Sequence, residues 1–342
     1  MENNKKASNT VQSKTGQRNN ADNTTLELNG NNTKDQLDID DKPPKQDELL
    51  IELASKKCTF FHDDQKEAYA KVKIGSHIEI WNISSPEFND WLAHQFWIKN
   101  GQGVKKSSYE SALLTLRAIA VFEGEAEEVY LRVAQIKDSI YLDMCNKNWQ
   151  VIEINKKGWK IINKSPVNFT RSKNMKPLHM PKIKNGGINL LLKHLNINTE
   201  DLPLVVGWLL MGMQAGSGAL PILIFQGPAG CGKTTASRML REIIDPNSAD
   251  LLSKPKTEDM RVIGVRNHVL AFDNLSGIHS NYSDALCKIS TGDNQTIRRL
   301  HTTNDEFTIS IKKPILLNGI DEITSRNDLL SRSIRIELKK IK

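Results

Sequence analysis

The stretch Pro221-Ile-Leu-Ile-Phe-Gln-Gly-Pro-Ala-Gly-Cys-Gly-Lys-Thr-Thr235 decides how the chain is read, because an apolar run of strand character feeds a Gly-rich loop that closes on Lys-Thr. Gly227, four further residues, then Gly232, Lys233 and Thr234 fit the pattern G-x-x-x-x-G-K-S/T, whose glycines let successive backbone N–H groups close around phosphate oxygens. The expected phosphate cradle is therefore Gly227, Pro228, Ala229, Gly230, Cys231, Gly232, Lys233, Thr234 and Thr235. Lys233 is expected to reach the β- and γ-phosphates of ATP, and Thr234 to ligate Mg²⁺. The next segment, Thr235-Ala-Ser-Arg-Met-Leu-Arg-Glu-Ile-Ile244, sets apolar residues at helical spacing, so a helix N-terminus would turn its partial positive charge toward the same phosphates.

Two more strands follow in the order this loop requires. Arg266-Asn-His-Val-Leu-Ala-Phe-Asp-Asn274 is an apolar run ending in an acid, and Asp273 is the candidate carboxylate for Mg²⁺. Lys313-Pro-Ile-Leu-Leu-Asn318 ends in Asn318, suited to orienting an attacking water or sensing the γ-phosphate. Ser325-Arg-Asn-Asp-Leu-Leu-Ser-Arg332 offers Arg326 and Arg332, either of which could stabilise transition-state charge in a neighbouring subunit. A strand often ends in Asp or Asn at a turn, and either arginine could equally pair with Asp328 or Glu322, so the order of these features carries more weight than any one of them.

The chain around this element has 342 residues, 38% of them hydrophobic, enough for two domains and a real core. A net charge of +7 favours an acidic partner, with nucleic acid first among them. The cysteines Cys58, Cys145, Cys231 and Cys287 form no C-x-x-C pair, which argues against a zinc site or a disulfide framework and for a reducing, cytoplasmic setting. Residues 202–225 carry no charge and are long enough to span a bilayer, but Gln-Ala-Gly-Ser-Gly at 214–218 breaks them, so no membrane span is expected.

Residues 1–48 are poor in large apolar side chains and cannot offset the entropy of ordering, so a disordered tail is expected. Residues 49–163 have the texture of a small α+β domain. Segments 68–72 and 77–83 alternate like a hairpin, and Ser85-Pro86 opens a helix through Phe88, Trp91, Leu92, Gln95 and Phe96. A second helix covers 107–122, short strands start near Val129, Ser139, Val151 and Gly158, and Trp81, Trp91 and Trp97 are the expected core. Residues 164–198 read as a basic linker. Lysines and arginines across 156–184, set among Trp159 and Phe169, suit single-stranded nucleic acid as well as a solvated connection. Residues 199–342 hold the nucleotide loop, with helices at 188–195 and 202–213 packing at the entry to its sheet.

The segment 227–234, the strand 269–273, the block Leu286-Cys-Lys-Ile-Ser-Thr-Gly-Asp-Asn-Gln-Thr-Ile-Arg-Arg-Leu300 and the strand ending in Asn318 together resemble the AAA+ P-loop ATPases of phage and mobile-element primase-helicases. The Thr-Gly-Asp block with the Asn-ending strand more narrowly resembles superfamily-three helicases. The resemblance covers 202–342. It implies a homo-oligomer, usually a hexameric ring, with ATP at subunit interfaces and a hairpin facing single-stranded DNA. That hairpin would lie between Thr296 and Lys313, with Arg298, Arg299, His301, Lys312 and Lys313 as DNA contacts. Two departures stand out. Asn274 follows Asp273 where many relatives carry a second acid, and the sequence stops at Lys342 without a helical lid of the usual kind. No paired-carboxylate or zinc pattern of a primase is evident in the first 200 residues.

The expected architecture is thus a three-layer α/β P-loop NTPase domain of AAA+ type, preceded by a small α+β domain and a disordered N-terminal tail. The expected activity is ATP hydrolysis driving a DNA helicase or translocase in replication of a mobile element. A nucleotide-regulated DNA-binding or assembly ATPase with slow hydrolysis, and a P-loop kinase, remain as alternatives.

Overall fold

The computed structural model describes residues 44–182, 187–214, 218–292, 294–298, 306–319, 323 and 325–341. Helix α1 (Gln46–Lys57) starts inside the stretch expected as tail, and the remainder of that stretch, residues 1–43, lies outside the described residues. Strands β1 (Cys58–His62), β2 (Ala68–Ile74) and β3 (His77–Asn82) form an antiparallel sheet in that order. Helices α2 (Pro86–Asn100) and α3 (Lys106–Phe122) follow. The Ser85 hydroxyl accepts the Phe88 amide at 3.3 Å, Pro86 fills a first-turn position where its missing N–H costs nothing, and Gly101 closes α2 at φ 65°.

A four-residue rhythm sets the core of this half. Phe88, Leu92 and Phe96 on α2, and Ala112, Leu116 and Ala120 on α3, are all fully buried with Leu50 and Ala54 of α1. This corrects the expected tryptophan core. Trp97, one residue past the buried Phe96, is rotated out of the stripe and is 57% exposed, while Trp81 and Trp91 pack edge to face at the margin of the cluster.

Strands β4 (Val129–Tyr130), β5 (Val133–Ile136), β6 (Ser139–Asp143), β7 (Val151–Asn155), β8 (Gly158–Ile162) and β9 (Asn168–Phe169) come next; β5-β6-β7-β8 is an antiparallel sheet and β4 pairs in parallel with β9. The start of the expected basic linker is therefore folded in. Phe169 is buried, and Arg171 grips Asp143 with both ends of its guanidinium at 2.8 and 2.6 Å.

The second half contains α4 (Leu190–His194), α5 (Leu202–Gly212), β10 (Ile222–Gln226), α6 (Lys233–Ile244), α7 (Met260–Arg266), β11 (Leu270–Phe272), α8 (Ser280–Thr291), β12 (Asn294–Arg298), β13 (Glu306–Ser310), β14 (Ile315–Asn318), α9 (Asn327–Ser331) and β15 (Ser333–Glu337). Four strands make a parallel sheet in the order β11-β14-β10-β15, with Phe225 opposite both Asn318 and Ile336. Period-two alternation splits their side chains between two cores. Ile222, Ile224, Leu270, Phe272, Ile315 and Leu317 pack with Met260, Leu286 and Leu329, while Leu223, Phe225, Ala271, Leu316 and Ile336 pack with Val205, Trp208, Ala236 and Leu240. A sheet covered on both faces explains why its strands are continuous apolar runs.

Strand β11 is shorter than the expected 266–274, because Arg266 closes α7 and the Asn267 side chain donates to the Ile263 carbonyl at 2.9 Å. The uncharged run 202–225 divides into α5 and β10, and no helix among the described residues is long and apolar enough to cross a membrane.

A buried polar cluster joins the two halves. The Asp245 carboxylate, just past α6, accepts Arg132 Nε and the amides of His268 and Val269, each at 3.1 Å. Arg132 also donates to the carbonyls of Asp143, Lys176 and Pro246 at 3.0, 2.9 and 3.2 Å. Burial would raise the Asp245 carboxyl, but Arg132 and the Val269 amide hold it below its ordinary value. His268 Nε2 meets the Gly212 carbonyl at 2.7 Å; burial first, then the Lys313 charge, lower its pKa from 6.5 to about 4.

This cluster sets a stability profile. Replacing Arg132 by Leu strands a buried carboxylate and is expected to lower unfolding free energy by about 3–5 kcal/mol in urea titrations. A loss below about 1 kcal/mol would show that Asp245 is satisfied without it. His268 takes up a proton in the unfolded chain well before it does so in the folded one, so stability should fall as pH drops from 6.5 toward about 4. The His268 share is on the order of 3 kcal/mol, and His268→Gln should flatten that part of the profile.

Candidate functional site

The Gly-rich loop lies at the carboxyl end of β10 and turns directly into α6. Gly227 stands at φ 140°, Gly230 at 77° and Gly232 at 91°, conformations that side chains resist. At Gly227 space forbids one as well, because a Cβ would lie 2.3 Å from the Leu338 carbonyl oxygen. Pro228, Ala229, Gly230 and Thr235 are exposed at the rim, while Cys231 is fully buried beneath it. Lys233 is 8% exposed and donates to the carbonyls of Gly227 at 2.6 Å and Pro228 at 3.0 Å, so its ammonium sits inside the loop.

Parallel strands place three polar ends beside this loop. The Thr234 hydroxyl donates to Asp273 Oδ1 at 3.1 Å, which brings together the two side chains expected to ligate Mg²⁺. Asn318 is buried, donates to Ser237 Oγ at 2.9 Å and accepts the Asn274 amide at 3.0 Å. Asn274 itself is exposed and left-handed at φ 54°, with its side chain outside this bond. A hydroxyl and a carboxylate 3.1 Å apart beside the Gly-rich loop are donors of the type that magnesium takes alongside phosphate and water. Among the described residues no group of three or more His, Cys, Asp or Glu offers an all-protein metal cage.

The arginines stand apart from the loop. Arg332 donates to the Asp328 carboxylate and, at 2.9 Å, to the Asp328 carbonyl; Arg326 meets Asp284 at 2.9 Å. Strands β12 and β13 pair antiparallel with Arg298 opposite Glu306, starting at Asn294, two residues before the span expected for a hairpin. Arg299 and His301 lie outside the described residues, as does the Arg298 side chain. Lys312 Nζ donates to the Gly218 carbonyl at 3.2 Å. Lys313, also expected as a DNA contact, directly precedes Pro314 and β14. It is half-buried, and desolvation brings its ammonium from 10.5 down to about 8, against the opposing charge of Asp245.

Three participants escaped the sequence. Ser237 lies one helical turn past Thr234 and reads as an ordinary helix serine. Asn196 donates to the carbonyls of Cys231 at 3.0 Å and Lys339 at 2.6 Å, clamping the loop to the C-terminal segment. The Leu338 N–H donates to the Gln226 carbonyl at 2.8 Å. No local pattern signals these contacts, since each partner is distant in sequence.

Residues 188–342 match the family of the actinomycete integrative conjugative element replication protein. No curated protein matches the chain in sequence. Among solved structures, the apo C-terminal region of NrS-1 aligns with TM-score 0.44 and 14% identity, covering 85% of this chain and 61% of that one. JCV helicase aligns with TM-score 0.32 and 16% identity, covering 45% of this chain and 44% of that one. The chain thus spans less than two thirds of either structure's length. Its C-terminal half is similar to replication proteins of mobile elements, the group whose resemblance the motifs carry.

Gly227→Ala tests the loop geometry, since it combines a forbidden φ with a carbonyl in the way of its Cβ. It should lower the thermal midpoint by the equivalent of about 1–3 kcal/mol, whereas Gly103→Ala, with open space around it, should not. Equal midpoints for the two variants would mean that the loop can relax away from Leu338.

Proposed function

We propose that residues 199–342 form a P-loop ATPase domain of AAA+ type that binds ATP with Mg²⁺ and powers a helicase or translocase on single-stranded DNA during replication of a mobile element. Residues 49–163 act as an accessory module. The observation that carries this reading is the 3.1 Å contact between Thr234 and Asp273, beside a loop whose lysine already points inward.

On this reading the loop amides and Lys233 hold the phosphates, and Thr234 with Asp273 hold Mg²⁺, which offsets charge on the β- and γ-oxygens. Asn318, fixed by Ser237 and the Asn274 amide, faces the region where the terminal phosphate and attacking water meet. Working subunits form a homo-oligomer, a ring of six in the resembled family, in a cytoplasmic setting. Arg332 is the first candidate to act on a neighbouring subunit's ATP and Arg326 the second. Each must leave its acid partner to do so, a small cost for half-exposed pairs. The hairpin of β12 and β13, with Arg298, Arg299, His301 and Lys312, is the proposed DNA-contacting element.

Asn274 favours a second reading. Its exposed amide is a poor proton acceptor where a carboxylate base is common, which suits a nucleotide-regulated assembly ATPase with slow turnover. Turnover with and without single-stranded DNA, measured alongside mass in solution with ATP, separates the two. Strong stimulation by DNA supports a motor, and ATP-dependent assembly with little turnover supports the second reading.

Lys233→Ala should abolish ATP binding in a folded protein, and Asp273→Ala should retain binding and lose Mg²⁺-dependent hydrolysis. Unchanged ATP affinity in Lys233→Ala would remove the P-loop assignment. Arg332→Ala should bind ATP, fail to hydrolyse it and inhibit wild-type protein on mixing. A variant with full turnover would leave Arg332 as a surface pair with Asp328.

A further inference from the structure

A groove in the N-terminal half, partly lined by the basic segment 156–184, lies apart from the Gly-rich loop and the β12–β13 hairpin. A cavity of about 520 Å³ opens between the β2–β3 hairpin, β7 and the loop 163–169, walled by Lys71, Lys73, His77, Trp149 and Lys164. A second cavity of about 430 Å³ shares Trp149 as a wall and adds Tyr69, Trp81, Arg171 and Lys173. One indole therefore stands between two adjoining hollows lined by cations and rings.

Each of the groove's acids faces a basic partner, Glu87 of the second cavity only at 3.9 Å from Lys173. Glu127 is held by Lys71 at 2.7 Å and by Asn168 at 3.0 Å, Asp143 by Arg171, and Glu79 by His77 at 2.9 Å. Lys73 and Lys164, both exposed, have no partner among the described residues and supply the surplus charge. Trp149 is strained: its φ is 53°, a left-handed conformation that costs a bulky residue on the order of 1–3 kcal/mol. Its ring is held by the Arg171 guanidinium 3.7 Å from its centroid and lies nearly parallel to His77, at 14° and 6.3 Å. The surroundings thus hold an aromatic plate upright between two hollows against its own backbone preference.

We propose that this groove is a binding track for single-stranded DNA, with a base stacking at Trp149 and phosphates passing Lys73 and Lys164. Rings accept any base while cations follow the backbone, which is the arrangement that sequence-tolerant strand binding needs. Two hollows joined at one ring suit a continuous strand better than a single nucleotide. The choice of DNA as the acidic ligand rests on the function proposed above. Of the two rings that the sequence offered for this role, Phe169 lines the first cavity only from a buried position and Trp159 does not line it.

The test uses the full chain and a labelled oligothymidylate, with ATP turnover recorded on the same samples. Lys73→Ala/Lys164→Ala should weaken oligothymidylate binding at least tenfold and reduce the slope of log affinity against log salt by about 1.4, or about 0.7 for each lost phosphate contact. Its DNA-independent ATP turnover should match wild type. Trp149→Phe should keep most of the affinity and Trp149→Ala should lose about fivefold to a hundredfold, the range for one stacked base. Unchanged affinity and slope in the double-lysine variant, or wild-type protein that binds polyglutamate in preference to oligothymidylate with the same lysine dependence, would overturn the track. If wild type hydrolyses ATP while the lysine pair has no effect on DNA, the groove alone fails. Absence of ATP turnover in wild type would count against the ATPase reading whatever the groove binds.

Discussion

The buried Asp245 carboxylate is the constraint on which the arrangement of the two halves depends. It ends α6, the helix that leaves the Gly-rich loop, and accepts the amides that lead into β11, the strand that delivers Asp273. Its remaining charge is met by Arg132, from the other half of the chain, at 3.1 Å in a fully buried contact. An ion pair taken wholly out of water stabilises little unless every remaining donor and acceptor is satisfied. Here Arg132 spends its other donors on three backbone carbonyls, so the N-terminal half is tied to the far end of the loop helix by directional bonds.

The same region meets the base of the β12–β13 hairpin. Lys313, three residues beyond β13, interacts with Asp245 and His268, and its desolvated ammonium near pKa 8 is the counterpart of an imidazole held neutral.

At the opposite end of the sheet, parallel pairing does the positioning. Because β10, β14 and β11 are neighbours running the same way, their carboxyl ends bring the loop, Asn318 and Asp273 to one edge. This is where open α/β sheets gather their ligands. Asn318 then bridges two elements, donating to Ser237 on α6 and accepting from Asn274 beyond β11, so the strand tips are locked to the loop helix by side-chain bonds.

The residues alone determined a good deal. The Gly227-to-Thr234 spacing, the apolar runs of β10 and β14 and the Ser85-Pro86 helix start are local patterns, and local backbone preference decides such elements. Asp273 and Asn318 each end an apolar run, so their places at the ends of β11 and β14 were legible too. What the sequence misjudged depends on rotation about a helix or on partners far along the chain. Trp97 looked like core but lies one residue past the buried stripe, and Lys313, read as a cation on a strand, is half-buried and desolvated. The basic segment after residue 163 looked like a linker, yet Phe169 and Arg171 are drawn into the fold by β4 and Asp143. Composition records how many charges a segment carries. Only tertiary structure decides which are desolvated and paired, because that depends on burial and on neighbours brought together by folding.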